Sequence, residues 1–386
     1  MLRSREFPDN DIRRILKAKG LDSSDKVRRE RLEKFSNSDV ERVLSEATSL
    51  YSLQKLSILV SPAAEGYLED MARLAHRLTI QRFGRTIRLY APLYLSNYCV
   101  NSCRYCGFNR ENDFERTRLS IDEATKEAQI IASQGFRDIL LVSSEDKKFI
   151  SVDYLTELTR RLRDTFSSIS IEVYQMNASE YARLFDAGVE GVTLYQETYD
   201  RNAYGNFHGA GPKSNYDARL SAADNIATAG MREIGLGVLL GLSDWRVETL
   251  ALGEHAHYMA KRYWQSHISF SFPRLRPAYK IEDSRFRPCT DKDLVQMISA
   301  LRLCFAEAGV VLSTRERAWL RDHLLELGVT RISAGSRTNP GGYSGRIETA
   351  EQFKISDNRS PAQVAAAIRE RGFEPVWKDW DTAFAK

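Results

Sequence analysis

TIRLYAPLYLSN, residues 86–97, marks the point where the hydrophobic period of this sequence changes. Upstream, apolar residues recur at helical spacing through DVERVLSEA (39–47) and EGYLEDMARLAHRLTIQRFG (65–84), with Gly84 as a natural helix stop. Downstream, short β-branched runs alternate with amphipathic stretches. Seven such runs follow the first: DILLVSSE (138–145), SISIEVYQ (168–175), GVTLYQET (191–198), EIGLGVLLG (233–241), HISFSFPRLRP (267–277), GVVLSTRE (309–316) and VTRISAGS (329–336). The intervening segments read as helices, and Ser120 with Glu123 and Asn177 with Glu180 fit capping boxes. Eight β/α units predict an α/β fold, a closed parallel (βα)8 barrel of TIM type, with an open doubly wound sheet as the competing arrangement. Residues 1–85 then form an N-terminal helical extension and residues 86–336 the barrel. Residues 337–386 supply a loop, the helix SPAQVAAAIRERG (360–372) and a Trp-rich tail packed back on the barrel.

Composition narrows the class without naming a chemistry. The chain has 386 residues, 42% hydrophobic and 28% charged, with a net charge of +4 from 56 basic and 52 acidic side chains. That small difference between large totals is not the basic field a nucleic-acid binder presents. The basic stretches DIRRILKAKG (11–20) and KVRRERLEKF (26–35) interleave acids at helical spacing and read as solvated helix faces. No apolar run approaches the roughly 20 residues of a membrane span, so a cytoplasmic protein is expected. Cysteines at 99, 103, 106, 289 and 304 are an odd, uneven set, unlike a disulfide framework.

In a (βα)8 barrel the chemistry sits at the C-terminal ends of the strands and in the loops after them. The first strand runs directly into Cys99, Cys103 and Cys106, and later strands end in Glu145, in Glu197, in Arg274 and Arg276, in Arg315 and in Ser333. A CxxxCxxC loop can wrap three corners of a cubane iron–sulfur cluster and leave its fourth iron open for a ligand. Structural zinc is the competing reading, but it wants four N or S ligands, and the nearest histidines in sequence are His76 and His208. Gly235, Gly237 and Gly241 fall within a strand rather than a strand-to-helix turn, and GPKS (211–214) lacks the Walker spacing; both read as structural.

The cysteine spacing, with Tyr105 before the last cysteine, is similar to the signature of radical S-adenosylmethionine (SAM) enzymes. Further along, APLYLSNYCVNSCRYCGF (91–108), YQETY (195–199), IGLGVLLGLSDWR (234–246), SFPRLRP (271–277), LSTRE (312–316), NPGGY (339–343) and PVWKDWD (375–381) occur in order. Together they resemble the tyrosine lyases of thiamine biosynthesis, the 2-iminoacetate synthases, from about residue 60 onward. The resemblance implies a [4Fe-4S] cluster on Cys99, Cys103 and Cys106, with SAM on the open iron. It implies reductive cleavage of SAM to a 5′-deoxyadenosyl radical and scission of the Cα–Cβ bond of L-tyrosine, giving 2-iminoacetate and p-cresol. The radical arises on SAM, so no side chain is implied as the catalyst.

Residue roles follow from the same resemblance and from side-chain chemistry. Tyr105 and Phe108 would border the adenine, with ordinary loop packing as the other reading. Glu145 would face the SAM amino group, although Ser143 and Ser144 stand where related enzymes carry glycines. Glu197 suits the ribose hydroxyls, and Arg219 the SAM carboxylate unless it is a surface ion-pair residue. Tyr94, Arg315 and Ser333 would clamp the substrate carboxylate, with Arg274 and Arg276 as competing anchors. Expected partners are thiazole synthase and a flavodoxin- or ferredoxin-type reductant, with no nucleic acid and no membrane. A hydrogenase-maturation tyrosine lyase, a tryptophan lyase and a non-catalytic zinc or nucleic-acid module are the rival functions.

Overall fold

The computed structural model describes residues 11–23, 26–46, 50–278, 286–345 and 349–378; the last three residues of PVWKDWD lie outside the described residues. The expected strands are all present: β1 (Thr86–Ser96), β2 (Asp138–Ser143), β3 (Ser168–Glu172), β4 (Gly191–Thr193), β5 (Glu233–Gly237), β6 (His267–Ser271), β7 (Gly309–Leu312) and β8 (Arg331–Ser333). They pair in sequence order, all parallel, and β1 pairs with both β2 and β8, so the sheet closes on itself. A closed barrel therefore replaces the open-sheet alternative. Each predicted run is longer than its strand, because its C-terminal residues leave the ladder at the barrel rim and become the walls of the mouth. At the end of β1 the register slips between Tyr94 and Ser96, a bulge that bends the chain into the cysteine loop.

Helices cover the barrel: α6 (Ile121–Ser133), α7 (Val152–Leu162), α8 (Ala178–Ala187), α9 (Arg201–Phe207), α10 (Tyr216–Thr228), α11 (Trp245–Arg262), α12 (Asp291–Cys304), α13 (Ala318–Leu324) and α14 (Pro361–Glu370). Both anticipated capping boxes form, at Ser120 with Glu123 and at Asn177 with Glu180, so these helices begin where their side chains satisfy the orphan N–H groups. Before the barrel come α1 (Ile12–Ala18), α2 (Lys26–Leu32), α3 (Asn37–Ser45), α4 (Leu53–Leu59) and α5 (Leu68–Phe83). Gly84, at φ 65°, stops α5 as expected. Arg13, Arg14 and Lys17 are exposed while Ile12 and Leu16 are buried, the solvated face expected of the first basic stretch.

Specific polar ties seat these helices on the barrel wall. The buried Gln296 amide of α12 donates to the carbonyls of Leu59 (3.0 Å) and Ser61 (2.9 Å). From α11, Arg246 donates to Val60 O (2.9 Å) and Glu65 (2.6 Å), and Glu254 accepts from Tyr51 (2.7 Å) and Lys19 (2.5 Å). The floor of the barrel holds a closed charge network. Fully buried Asp138 accepts from Arg88 (2.5 Å) and Arg331 (2.6 Å), and Glu233 takes the other face of both guanidiniums. A small cavity remains at that end, but Arg88, Glu233 and Arg331 in its lining are already paired with one another.

One element was not anticipated. The tail contributes a ninth strand, β9 (Glu374–Val376), parallel to Thr86–Arg88 of β1, and Trp377 then stacks edge-on against Phe136 at 5.1 Å. Three residues centred on a proline have no strand signature of their own, and Pro375 is tolerated because it sits on an edge.

Candidate active site

The cysteine loop leaves β1 and is laced to three other segments of the mouth. Val100 N donates to Glu145 O after β2 (2.9 Å), and Gly107 N to Gln352 O from the C-terminal segment (3.3 Å). Towards the segment that follows α9, Ser102 N donates to Ala210 O and Arg104 N to Phe207 O, both at 3.0 Å. Cys99, Cys103 and Cys106 then line one cavity together with Tyr94, Tyr105, Glu145, Glu197, Arg219, Arg315 and Ser333. About 1330 Å³ of space lies between its walls, part of it open to solvent. Ten of the eleven residues expected in the site are thus brought together from five loops or strand ends and, for Arg219, from helix α10.

The exception is Phe108. Its ring turns behind the loop into an apolar cluster with Tyr90, Tyr94, Leu140 and Val142, and does not reach the cavity. The adenine-wall expectation for it is corrected to loop packing, because burying a phenyl ring under the loop removes more apolar surface than leaving it on the rim. Cys289 and Cys304 also stay away, so three thiols face the cavity. Among the described residues no three thiol, imidazole or carboxylate groups converge on one ion position. Three corner ligands of a polynuclear cluster need no such convergence, whereas a closed zinc site does.

The donor set fits the cluster in a second respect. Burial pushes the thiols of Cys103 and Cys106 up, so an empty site keeps them protonated and a bound metal would deprotonate them. Amide N–H groups of Asn101 and Gln352 point at Cys99 Sγ (3.7 Å) and Cys106 Sγ (3.9 Å), the kind of contact that tunes a thiolate-bound cluster.

On the β2 and β4 side the charges are committed. Asn101 donates to Glu145 at 2.8 Å. Ser143 and Ser144 have no left-handed backbone, so neither position needs a glycine's conformational freedom in this chain; Ser143 Oγ donates to Ser144 O at 2.8 Å. Glu197 is the one non-glycine with positive φ (69°) among the described residues, a strained conformation of the kind that clusters at functional sites. Burial opposes its charge, but Lys213 Nζ at 2.6 Å and Arg219 at 3.8 Å outweigh that and hold its carboxyl below the usual range. Arg219 is buried and also donates to Tyr195 O (2.8 Å), which excludes the surface ion-pair alternative.

Lys213 corrects the reading of GPKS as structural. Gly211 sits at φ 92°, and a Cβ there would lie 2.3 Å from Asn101 Oδ1, so only glycine lets this turn press against the cysteine loop. That approach delivers Lys213 to Glu197. Nearby, His208 Nδ1 donates to Tyr204 O (2.8 Å), leaving Nε2 to accept the Tyr105 hydroxyl (2.8 Å); burial keeps the imidazole neutral, its pKa lowered to about 3.

The β7 side is different. Arg274 forks onto Glu316 and reaches Asp291 at 2.8 Å, while Arg276 donates to Glu316 at 2.8 Å; neither lines the cavity. Both are corrected from competing anchors to partners of Glu316. Arg315 has no carboxylate among the described residues and lies 3.4 Å over the Phe353 ring. Tyr94 donates its hydroxyl proton to Gln352 Oε1 (2.7 Å), so Gln352 links Tyr94 to the Cys106 thiol. Glu172, at the end of β3, also lines the cavity; burial and then Glu197 push its carboxyl up to about 7. No sequence motif marks Gln352, whereas Glu172 was legible as the acidic residue in the third predicted strand.

A closed parallel barrel with three cysteines in the loop after its first strand defines a radical SAM enzyme, and residues 93–252 match the radical SAM superfamily. Residues 271–374 match the Biotin and Thiamin Synthesis associated domain. The chain belongs to the 2-iminoacetate synthase family: it is 44% identical over 346 residues to the 2-iminoacetate synthase of Escherichia coli K12, covering 89% of this chain and 91% of that one. Its fold is similar to the FeFe-hydrogenase maturase HydG from Carboxydothermus hydrogenoformans, with a TM-score of 0.86, 33% identity, and 95% and 85% of the two chains covered. A second HydG structure matches with the same TM-score at 31% identity, over 91% and 79% of the chains. As in the rest of the superfamily, the cofactors are a [4Fe-4S] cluster and SAM. No described helix is long and apolar enough to cross a membrane.

Proposed function

We propose that this chain cleaves the Cα–Cβ bond of L-tyrosine to 2-iminoacetate and p-cresol, converting SAM to 5′-deoxyadenosine and methionine, and so supplies the thiazole of thiamine. The observation that carries this reading is that three thiols and an uncommitted guanidinium, Arg315, line a single cavity. Cys99, Cys103 and Cys106 would hold the cluster. When bound, cluster and SAM supply the one-electron chemistry that removes hydrogen from an unactivated substrate.

The chain's own residues bind, orient and exclude water. Glu145, Glu197 and Arg219 are fixed acceptors and donors on the cluster side, for the SAM amino group, ribose and carboxylate, with Tyr105 as the adenine wall. Lys213 holds Glu197 in place and ionised. Across the mouth Arg315 offers a planar fork to a carboxylate, with Ser333 beside it. Tyr90, Pro92, Leu140, Val142 and Tyr195 form the apolar lining that keeps water from the reacting bond.

A flavodoxin- or ferredoxin-type reductant would deliver the electrons, thiazole synthase would take the unstable imine, and the reaction would run in the cytoplasm. Anaerobic incubation of reconstituted protein with SAM, a reductant and either tyrosine or tryptophan tests the reading. Release of p-cresol from tyrosine is expected; an indole product from tryptophan, without p-cresol from tyrosine, overturns it. Cys99→Ala, Cys103→Ala and Cys106→Ala should each lose the cluster absorption near 400 nm expected roughly for iron–sulfide charge transfer.

A further inference from the structure

Six charged side chains line the cavity: Glu145, Glu172, Glu197, Lys213, Arg219 and Arg315. Four are engaged with one another or with neighbours, through Asn101 to Glu145 and through the Lys213–Glu197–Arg219 group. Glu172 and Arg315 are not. Among the described residues Glu172 makes no hydrogen bond or ion pair through its side chain, and Arg315 only stacks on Phe353. Nor do they pair with each other, although each feels the other's charge. Glu172 ends β3 and Arg315 follows β7, strands four places apart in an eight-strand barrel, and therefore on opposite walls.

We propose that Glu172 receives the α-amino group of the substrate while Arg315 takes its carboxylate, so that the two together recognise the zwitterionic head of an amino acid. The proposal rests on the lyase reading of the same cavity and adds the residue that discriminates an amino acid from the corresponding carboxylic acid. A half-buried carboxylate and a half-buried guanidinium facing one cavity without partners are costly, and a ligand carrying one charge would leave the other stranded. An α-amino acid carries both charges on one carbon and satisfies both walls at once. The state of the empty site agrees: burial raises Glu172 and lowers Arg315, so each is short of a counter-charge. The other groups facing Glu172 are poor substitutes, since Tyr94 is bonded to Gln352 and Tyr195 donates to Ser271 Oγ at 3.0 Å.

The test is calorimetric titration of the reconstituted, anaerobic protein with SAM and no reductant, so that binding is read without turnover. Three ligands are compared on the unmodified protein and on Glu172→Gln: L-tyrosine, 3-(4-hydroxyphenyl)propionate, which lacks the amino group, and L-phenylalanine, which lacks the phenol. Tyrosine should bind the unmodified protein roughly tenfold to hundredfold tighter than the propionate, as hydrogen bonds between charged groups predict. Glu172→Gln should erase most of that ratio and leave the tyrosine-to-phenylalanine ratio unchanged. Equal affinity for tyrosine and the propionate in the unmodified protein overturns the proposal without recourse to any variant. So does an unchanged ratio in Glu172→Gln, or a collapse of the phenylalanine ratio instead, which would put Glu172 on the phenol. Failure of the unmodified protein to make p-cresol would sink the lyase reading; p-cresol formation with an unchanged ratio sinks only the role of Glu172.

Discussion

Replacing Arg315 with lysine isolates what its guanidinium contributes. Among the described residues it gives nothing to a carboxylate and lies 3.4 Å over Phe353, so its two-pronged edge is free for a ligand. A bidentate carboxylate contact is two charge-assisted hydrogen bonds of about 1.5–3 kcal/mol each, of which lysine keeps one. Loss of the stack removes about another 0.5–1 kcal/mol. The sum, about 2–4 kcal/mol, predicts tyrosine binding weaker by roughly 30-fold to 1000-fold. Stability should hardly change, because no buried carboxylate is stranded. The assay is p-cresol formation against tyrosine concentration under anaerobic conditions, with SAM cleavage in the absence of tyrosine as the control for an intact cluster site. Unchanged tyrosine affinity and turnover in Arg315→Lys would refute the reasoning and return Arg276 to candidacy.

Lys213→Ala should weaken SAM binding about tenfold or more by leaving Glu197 with Arg219 alone at 3.8 Å, and Lys213→Arg should restore part of it; equal SAM affinity in all three proteins would detach Lys213 from the site. Gly237→Ala places a Cβ 2.2 Å from Ser271 O and 2.4 Å from the Tyr195 ring, so Tyr195 must move into the cavity, at a cost of about 1–3 kcal/mol seen as a lower unfolding midpoint. An unshifted midpoint would show that the wall yields freely there. Burial holds His255 neutral, its pKa lowered to about 3, while the unfolded chain protonates near 6.5. Its contribution is therefore intact above pH 6.5 and falls as pH drops from there to about 3, by about 2 kcal/mol at pH 5. The stability difference between the unmodified protein and His255→Gln, measured by urea unfolding at pH 7.5 and pH 5, should shrink by that amount; a constant difference would assign the acid sensitivity elsewhere.

What the sequence determined by itself is what local periodicity encodes. Alternating β-branched runs and helical stretches specify eight strands and their capped helices, because pleat and helix repeat within a few residues. Cys99, Cys103 and Cys106 needed only spacing, since one loop holds all three. The tertiary structure decided what depends on facing and on distant partners. Phe108 and Tyr105 are near neighbours in one loop, yet one turns to the cavity and the other away, which no period records. Arg274, Arg276 and Arg315 are equivalent as sequence, and only the position of Glu316 leaves Arg315 unpaired. Lys213 reaches Glu197 because Gly211 packs against Asn101, a loop contact between distant segments, and β9 exists only because β1 offers it an edge. Glu172 was visible as an acid in a strand, but its lack of a partner is a property of the closed barrel, where charges from opposite walls meet around a shared cavity.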